Sequence, residues 1–209
     1  MLANKIVIIN YRMGNVASVQ KGFKKIGAET ILSHEKNDIE NADYLVLPGV
    51  GAFGDGMKNL KELGLIEILN NRVLHEKTPF LGICLGMQLL ATTGYEFGET
   101  PGLGWIKGKV IKLSVPEKFR LPHVGWDDIE IKRDTLLLQN IPGQNFYFVH
   151  SYHLAPNDAT VTTSICTFGQ DFAATIEKGN IYATQFHPEK SQTSGLMVLK
   201  NFLMSKRHA

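Results

Sequence analysis

Residues 78–88 read Thr-Pro-Phe-Leu-Gly-Ile-Cys-Leu-Gly-Met-Gln, a short apolar segment that leads directly into a cysteine between two glycines. A continuous apolar run of this length, bounded by turn residues, predicts a strand that is buried on both faces. In the segment Gly82-Ile83-Cys84-Leu85-Gly86, the glycines remove Cβ atoms where backbones crowd. The central residue can then take a strained conformation and point outward, as a nucleophile does between a strand and a helix.

The sequence before and after this turn alternates strand-like and helix-like segments. Apolar spacing of three to four residues predicts a helix over 16–26, stopped by Gly27, and one or two helices over 53–74, broken near Gly64. Another helix is predicted from Gln88 onward. Short apolar runs predict strands at 6–9, 30–32, 44–47 and 80–83. This order is typical of an α/β fold with a parallel sheet and helices on both faces.

The second half of the chain is rich in short β-type segments. Gly, Pro, Asn and Asp turns separate them, which favours antiparallel strands appended to the α/β core. A closing helix is predicted over about 194–204. We see no linker or repeat, so residues 1–209 are expected to form one domain. The predicted strands are 109–113, 128–131, 146–149, 161–168, 172–176 and 181–186.

The composition excludes several classes of protein. The 209 residues are 44% hydrophobic and 20% charged with a formal net charge of +2, which is ordinary for a folded soluble chain. That balance does not favour a general nucleic-acid or membrane-surface binder. No apolar run approaches the roughly 18–20 residues of a membrane span. The two cysteines, Cys84 and Cys166, form no disulfide framework, so we expect a cytoplasmic protein with free thiols.

Cys84 is the candidate nucleophile. Backbone N–H groups and the dipole at a helix N-terminus would favour its thiolate. The alternative is a buried structural cysteine, since free cysteine is among the most buried residue types. The Gly-x-Cys-x-Gly context after a strand favours the nucleophile.

His187 and Glu189 are the candidate base and orienting carboxylate. His187 follows the strand-like run 181–186 and precedes Pro188, which biases it toward an extended backbone. Residues i and i+2 of an extended chain point the same way, so Glu189 can reach the far ring nitrogen of His187. The alternative is a strand-end turn with a solvated glutamate.

The segment after the strand 44–47 is a candidate source of oxyanion donors, from Gly49, Val50 and Gly51. The alternative is an ordinary turn.

These motifs together make the whole chain similar to the class I (triad) glutamine amidotransferases. Residues 82–88 resemble the nucleophile turn of that family, and residues 185–191 resemble its His–Glu end. More narrowly, the chain resembles the glutaminase subunits of imidazole glycerol phosphate synthases. The segments that narrow the resemblance are 48–53, 122–126, 146–152 and 190–191.

The resemblance implies a fold and a reaction. The fold would be a flavodoxin-like, mostly parallel sheet flanked by helices, with appended antiparallel strands. Cys84 would attack the side-chain amide of L-glutamine, and ammonia would leave with a proton from His187. Water would then release glutamate from the thioester. No metal and no cofactor is expected. The ammonia would pass to a (β/α)₈ synthase/cyclase subunit in a heterodimer that serves histidine biosynthesis.

The resemblance also implies roles for individual residues. The oxyanion segment is expected to need rearrangement, which would make activity depend on the partner, and Glu96 would receive the substrate ammonium. For the interface residues, core aromatics and an ordinary surface lysine are the alternative. The oxyanion and substrate-binding residues would be Gly49, Val50, Gly51, Leu85, Gln88, Glu96, His150, Ser151 and Tyr152. The partner-facing residues would be Asn15, Trp126, Tyr147 and Lys190.

The sequence departs from the family pattern at a few positions. Asn10 and Arg12 stand where the family usually has Asp and Gly, Asp127 stands where Asn is common, and His153 replaces a frequent Tyr. The departures leave a second partner open, a sugar-modifying synthase of surface polysaccharide or flagellin glycans. A non-catalytic module and a stand-alone amidase are further alternatives. The intact triad argues against the first of these, and the partner-facing motifs argue against the second.

Overall fold

A nine-stranded mixed sheet forms the centre of the molecule. The computed structural model describes residues 4–205. Five strands at one end of the sheet run parallel, in the spatial order β2-β1-β3-β4-β13. Their carboxyl ends therefore meet at one edge, where open α/β sheets place their sites. The strands are β1 (Ile6–Ile9), β2 (Thr30–Ser33), β3 (Tyr44–Gly49), β4 (Phe80–Cys84) and β13 (Ile181–Thr184).

Helices cover both faces of this parallel region because its strands are apolar on both sides. Val7 and Ile9 pack into one cluster and Ile6 and Ile8 into the other. The first cluster receives α3 (Phe53–Glu62) and α4 (Leu65–Asn70), and the second receives α1 (Val16–Lys25) and α6 (Gln192–Phe202). A short helix, α2 (Lys36–Glu40), lies between β2 and β3, and a π-helical turn (Asn71–His75) follows α4.

Antiparallel strands extend the sheet beyond β13 in the order β12-β11-β8-β9. The remaining strands form a second, four-stranded sheet in the order β10-β7-β5-β6. The extension consists of β8 (His123–Ile131), β9 (Asn145–His150), β11 (Thr162–Phe168) and β12 (Gln170–Lys178). The second sheet consists of β5 (Ala91–Gly94), β6 (Thr100–Pro101), β7 (Ile106–Lys112) and β10 (Tyr152–Pro156).

The predicted α/β class, with helices on both faces and appended antiparallel strands, is confirmed. The prediction that a helix opens at Gln88 is wrong. α5 (Leu85–Gln88) ends after four residues, and the chain turns into β5. Thr92 and Thr93 are β-branched and favour a strand, and β5 pairs with β7. After Gln88 the chain therefore enters the second sheet instead of continuing as a helix. The local spacing of apolar residues does not predict that sheet.

Within the described residues, no helix has the length and apolar character needed to cross a membrane. The single-domain assignment over 1–209 stays a prediction, and residues 1–3 and 206–209 lie outside the described part of the chain.

Candidate active site

Cys84 occupies a strained turn between β4 and α5. Its backbone has φ 54° and ψ −109°, a conformation that side-chain-bearing residues rarely adopt. The two flanking glycines allow the tight approach. A Cβ at Gly82 would lie 2.8 Å from the carbonyl oxygen of Gly86, and one at Gly86 would overlap the carbonyl of Leu47. The turn thus has the geometry predicted from the Gly-x-Cys-x-Gly pattern.

The helix that follows Cys84 is shorter than the sequence suggests. Cys84 is the N-cap of α5, at a helix N-terminus as the sequence predicts, but α5 has only four residues and its dipole is small. Stabilisation of charge on the sulfur therefore depends on neighbouring side chains.

A cavity of about 410 Å³ opens beside Cys84, which is 4% exposed. The cavity brings together every predicted oxyanion and substrate-binding residue except Gly49. A larger cavity of about 570 Å³ lies at the opposite end of β4 and β13, beside Pro79 and Ile181, and its described lining contains none of the predicted site residues. The predicted residues that line the first cavity with Cys84 are Val50, Gly51, Leu85, Gln88, Glu96, His150, Ser151 and Tyr152.

His187 and Glu189 form a buried pair. The Nδ1–H of His187 donates to Oε1 of Glu189 over 2.8 Å, which leaves Nε2 as the free ring nitrogen. That nitrogen is buried and has no hydrogen-bond partner of good geometry among the described residues. Burial lowers the pKa of His187, but the charge and proximity of the Cys84 sulfur and the hydrogen bond to Glu189 outweigh burial and raise the pKa to about 10. The imidazolium is thus the favoured form beside the sulfur.

Gln185 is a site residue that the sequence analysis missed. Its Nε2 donates to the sulfur of Cys84 over 3.7 Å, and its Oε1 accepts from Nε2 of Gln88 over 3.2 Å. Gln185 is fully buried, two residues before His187. The two-residue alternation of a strand could have placed both side chains on one side of the chain.

Gly49 lies behind the cavity wall. It pairs with Cys84 in the β3–β4 register, and a Cβ there would overlap the hydroxyl of Tyr11 and lie 2.8 Å from Cβ of Leu85. Tyr11 is a second residue that the analysis missed. Its hydroxyl is buried without a hydrogen-bond partner in the described chain, and burial together with the charge of Cys84 raises its pKa.

Gln88 and Glu96 are held by backbone groups at the cavity. Nε2 of Gln88 donates to the carbonyl oxygen of Tyr152 over 2.7 Å. Oε2 of Glu96 accepts from the backbone N–H of Phe53 over 2.8 Å, at the start of α3. Both side chains are therefore oriented before any ligand is present.

Three of the predicted partner-facing residues form one surface cluster. Trp126 is 42% exposed, and its ring meets that of Tyr147 edge-on at 6.0 Å. Nζ of Lys190 lies 5.5 Å from the centre of the Tyr147 ring. Trp126 is therefore not a core aromatic. Asn15, the fourth predicted partner-facing residue, is exposed and accepts a hydrogen bond from Ser18 N–H (3.3 Å) as the N-cap of α1.

The model of the family described as glutamine amidotransferase class-I matches residues 7–206 of the chain. The chain is 48% identical to imidazole glycerol phosphate synthase subunit HisH 1 of Campylobacter jejuni strain RM1221, over 95% of this chain and 98% of the relative. It is also 48% identical to subunit HisH of Geobacter sulfurreducens, over 95% and 97% of the two chains. The HisH subunit of Aquifex aeolicus is 46% identical, over 95% of each chain.

Solved structures share the fold at low sequence identity. A crystal structure of a glutamine amidotransferase superposes with a TM-score of 0.75 at 20% identity, covering 95% of this chain and 97% of the other. The structure of PurLQS from Thermotoga maritima gives a TM-score of 0.72 at 16% identity, with coverage of 97% and 98%. These likenesses concern the fold alone.

Proposed function

Since this chain belongs to the class I glutamine amidotransferase family, we propose that it is the glutaminase subunit of an imidazole glycerol phosphate synthase. It hydrolyses L-glutamine to glutamate and ammonia. Relatives that match almost end to end carry the name of that synthase subunit, which supports this assignment over a glycan-modifying partner.

The observation that carries the proposed chemistry is the strained Cys84 beside the cavity, next to a buried imidazole with a raised pKa. The sulfur of Cys84 attacks the amide carbon of glutamine. His187 gives its proton to the leaving ammonia, and a γ-glutamyl thioester remains. His187 then takes a proton from water, which attacks the thioester, and glutamate leaves as the thiolate of Cys84 and the imidazolium of His187 are restored.

Neighbouring groups support the same reaction. Glu189 accepts the Nδ1–H of His187 and stabilises the imidazolium. Val50, Gly51 and Leu85 line the cavity and are the proposed source of oxyanion donors. Glu96 offers a carboxylate at the same cavity for the ammonium of the substrate.

Replacing Cys84 tests the proposal. Cys84→Ala is expected to abolish release of glutamate while the circular dichroism spectrum and the unfolding midpoint stay close to those of the wild type. Cys166→Ala is the matched control because Cys166 is also a buried free thiol but lies in β11. Turnover in Cys84→Ala equal to that of Cys166→Ala would disprove the nucleophile.

The proposed destination of the ammonia is a (β/α)₈ synthase subunit that docks on the cluster of Trp126, Tyr147 and Lys190. Aromatic residues such as the exposed Trp126 and the half-buried Tyr147 are enriched at the centre of protein–protein interfaces. The cluster lies near the catalytic strand end, since the backbone N–H of His187 donates to the carbonyl of Tyr147 over 2.9 Å. Docking there would act on the backbone that holds the imidazole.

A further inference from the structure

A chain of hydrogen bonds runs from the surface to the cavity through two buried histidines. Oδ2 of Asp127, whose side chain is 40% exposed, lies 2.6 Å from Nε2 of His123. Nδ1 of His123 lies 3.2 Å from Nε2 of His150, and Nδ1 of His150 lies 2.9 Å from the carbonyl oxygen of Tyr152. That oxygen also accepts the 2.7 Å hydrogen bond from Gln88.

The acceptor groups in this series of hydrogen bonds determine which ring nitrogens carry a hydrogen. A carbonyl oxygen only accepts, so Nδ1 of His150 must carry its hydrogen. Burial lowers the pKa of His150 to about 3, and the charges of His123, His153 and His187 act in the same direction. His150 is therefore neutral, its Nε2 is a bare acceptor, and Nδ1 of His123 must be the donor to it.

The remaining contact, between His123 and Asp127, then needs one more proton. With a hydrogen on Nδ1, a neutral His123 presents a bare Nε2 to the carboxyl group. Two bare acceptors at 2.6 Å repel, so a proton must lie between them. It belongs either to an imidazolium facing a carboxylate or to a carboxylic acid facing a neutral ring.

We propose that the His123–Asp127 pair holds one proton, and that this proton orients the Tyr152 carbonyl and, through it, the cavity residue Gln88. His123 and Asp127 are positioning residues in this proposal, because neither touches the reacting atoms. Their effect on catalysis rests on the function proposed above, whereas the proton itself does not.

Loss of the proton removes the hydrogen bond between His150 and the Tyr152 carbonyl, at the cavity end of the series. An ionised Asp127 accepts from the Nε2–H of a neutral His123, so Nδ1 of His123 becomes an acceptor. His150 must then change to the Nε2–H tautomer to donate to it. The bare Nδ1 of His150 then faces the Tyr152 carbonyl at 2.9 Å and repels it. Since Gln88 donates to the same oxygen, the orientation of Gln88 changes as well.

The surroundings of His123 set the direction of its pKa. Burial lowers the pKa of His123, and the hydrogen bond and charge of Asp127 offset only part of that shift, so the pKa lies below its usual value. The aromatic rings packed on His123 come from Phe148, Phe168 and Phe172 and carry no charge. The titratable groups that act on His150 are His123 itself, His153 on β10 and His187 after β13. The protonated arrangement is present below the pKa of His123, which burial holds below its usual value, and is lost as the pH rises through that pKa.

Asp127→Asn removes the titrating proton while it keeps all the hydrogen bonds. The Nδ2–H of an asparagine can donate to the bare Nε2 of a neutral His123, so every contact is satisfied with no titrating proton. Asp128→Asn is the matched control, because it removes the same charge from the next residue, whose exposed carboxylate accepts from Asn145 over 2.8 Å and contacts neither histidine.

The first measurement is ¹⁵N NMR of the histidine side chains in the full chain between pH 5 and 9. We expect the His123 ring to change its protonation state with pH in the wild type and in Asp128→Asn. In Asp127→Asn, His123 should stay a neutral Nδ1–H tautomer over the neutral and alkaline range. A wild-type His123 ring that matches the one in Asp127→Asn at every pH, or that stays a neutral Nε2–H tautomer at every pH, would overturn the proposal.

The second measurement is KM and kcat for glutamine in complex with the synthase subunit. Above the pKa of His123, the wild-type KM should rise about tenfold relative to Asp127→Asn, the size of one misaligned hydrogen bond, with a smaller change in kcat. Parallel KM profiles would overturn the positioning role. Absence of glutamine hydrolysis in all three proteins would instead contradict the proposed function and leave the NMR result standing.

Discussion

Cys84 combines backbone strain with a set of side chains that control its charge. A non-glycine residue at φ 54° costs about 1–3 kcal/mol, and such strain persists only where the surrounding structure holds it in place. The sulfur receives a hydrogen bond from Gln185 and lies beside the imidazole of His187. The residue is thus held in a reactive environment by neighbours that are distant in sequence.

Removal of the charge at Glu189 should reduce catalysis by the imidazole of His187 without abolishing it. In Glu189→Gln, an amide oxygen still accepts the Nδ1–H of His187, but the imidazolium loses a buried counter-charge. We expect kcat to fall by roughly 10–100-fold, and by more in His187→Ala, which lacks the proton donor altogether. A coupled assay of glutamate release measures both. Wild-type kcat in both variants would eliminate the triad.

Gln185→Leu should reduce the reactivity of the sulfur. The substitution removes the hydrogen bond to Cys84 while it retains much of the buried volume, so alkylation of Cys84 by iodoacetamide should slow by about tenfold. Mass spectrometry reports which cysteine reacts. Burial and the nearby carboxylates of Asp127, Asp128 and Asp171 raise the pKa of Cys166 to about 12, so that thiol should stay unmodified. Unchanged alkylation of Cys84 would show that Gln185 does not act on the sulfur.

The β4–α5 turn depends on close backbone packing against β3. The carbonyl of Leu47 occupies the space that a side chain at Gly86 would need, so the glycine is required by the neighbouring strand and not by the turn alone. The short length of α5 has a similar origin, because the chain must reach β5 in the second sheet. Contacts between elements therefore set the shape of the turn.

Gly86→Ala should lower the free energy of unfolding by about 2–3 kcal/mol, because its Cβ would force β3 and α5 apart. Gly54→Ala is the control. Gly54 lies in α3, its Cβ would meet only Oγ1 of Thr100 at an ordinary 3.6 Å, and alanine favours the helix by up to about 1 kcal/mol. Urea unfolding monitored by circular dichroism compares the two. Equal stabilities would show that the turn tolerates a Cβ.

The whole molecule presents its proposed docking cluster and its apolar edge strand at opposite ends of one sheet. The cluster of Trp126, Tyr147 and Lys190 lies on and beside the terminal strands β8 and β9, whereas β2 forms the other edge. A partner that docks on the cluster covers the end of the molecule where His187 is attached, and leaves β2 exposed.

In Trp126→Ala, stimulation of glutaminase activity by the synthase subunit should fall at least tenfold, since exposed aromatic anchors dominate interface energies. The unfolding midpoint of this variant should change little. Ile31→Ala on β2 is the matched control, because Ile31 and Trp126 are 40% and 42% exposed. Titration of the synthase subunit, with glutamate release as the signal, compares the two variants. Equal stimulation of both would place the partner elsewhere.

Local patterns along the chain were sufficient to predict the parallel strands, the helices that cover them and the turn at Cys84, because burial on both faces leaves a continuous apolar run and a tight turn requires glycine. The contact of His187 with Glu189 was predicted from an extended chain, and that basis is wrong: His187 is extended, but Glu189 lies in a 3₁₀ turn (Pro188–Lys190) that still brings its carboxylate to Nδ1. Gln185 was within reach of that argument, yet a buried glutamine carries no local signal that distinguishes it from a packed core residue.

Long-range pairing decided the rest. Three features depend on segments that are far apart in sequence: the second sheet, the four-residue α5 and the contact of Tyr11 with Gly49. The spacing of apolar residues does not predict which strands pair. The route from Asp127 through His123 and His150 to Tyr152 is of the same kind. Its single proton follows from three distances between side chains and backbone, and such distances exist only after the strands have paired.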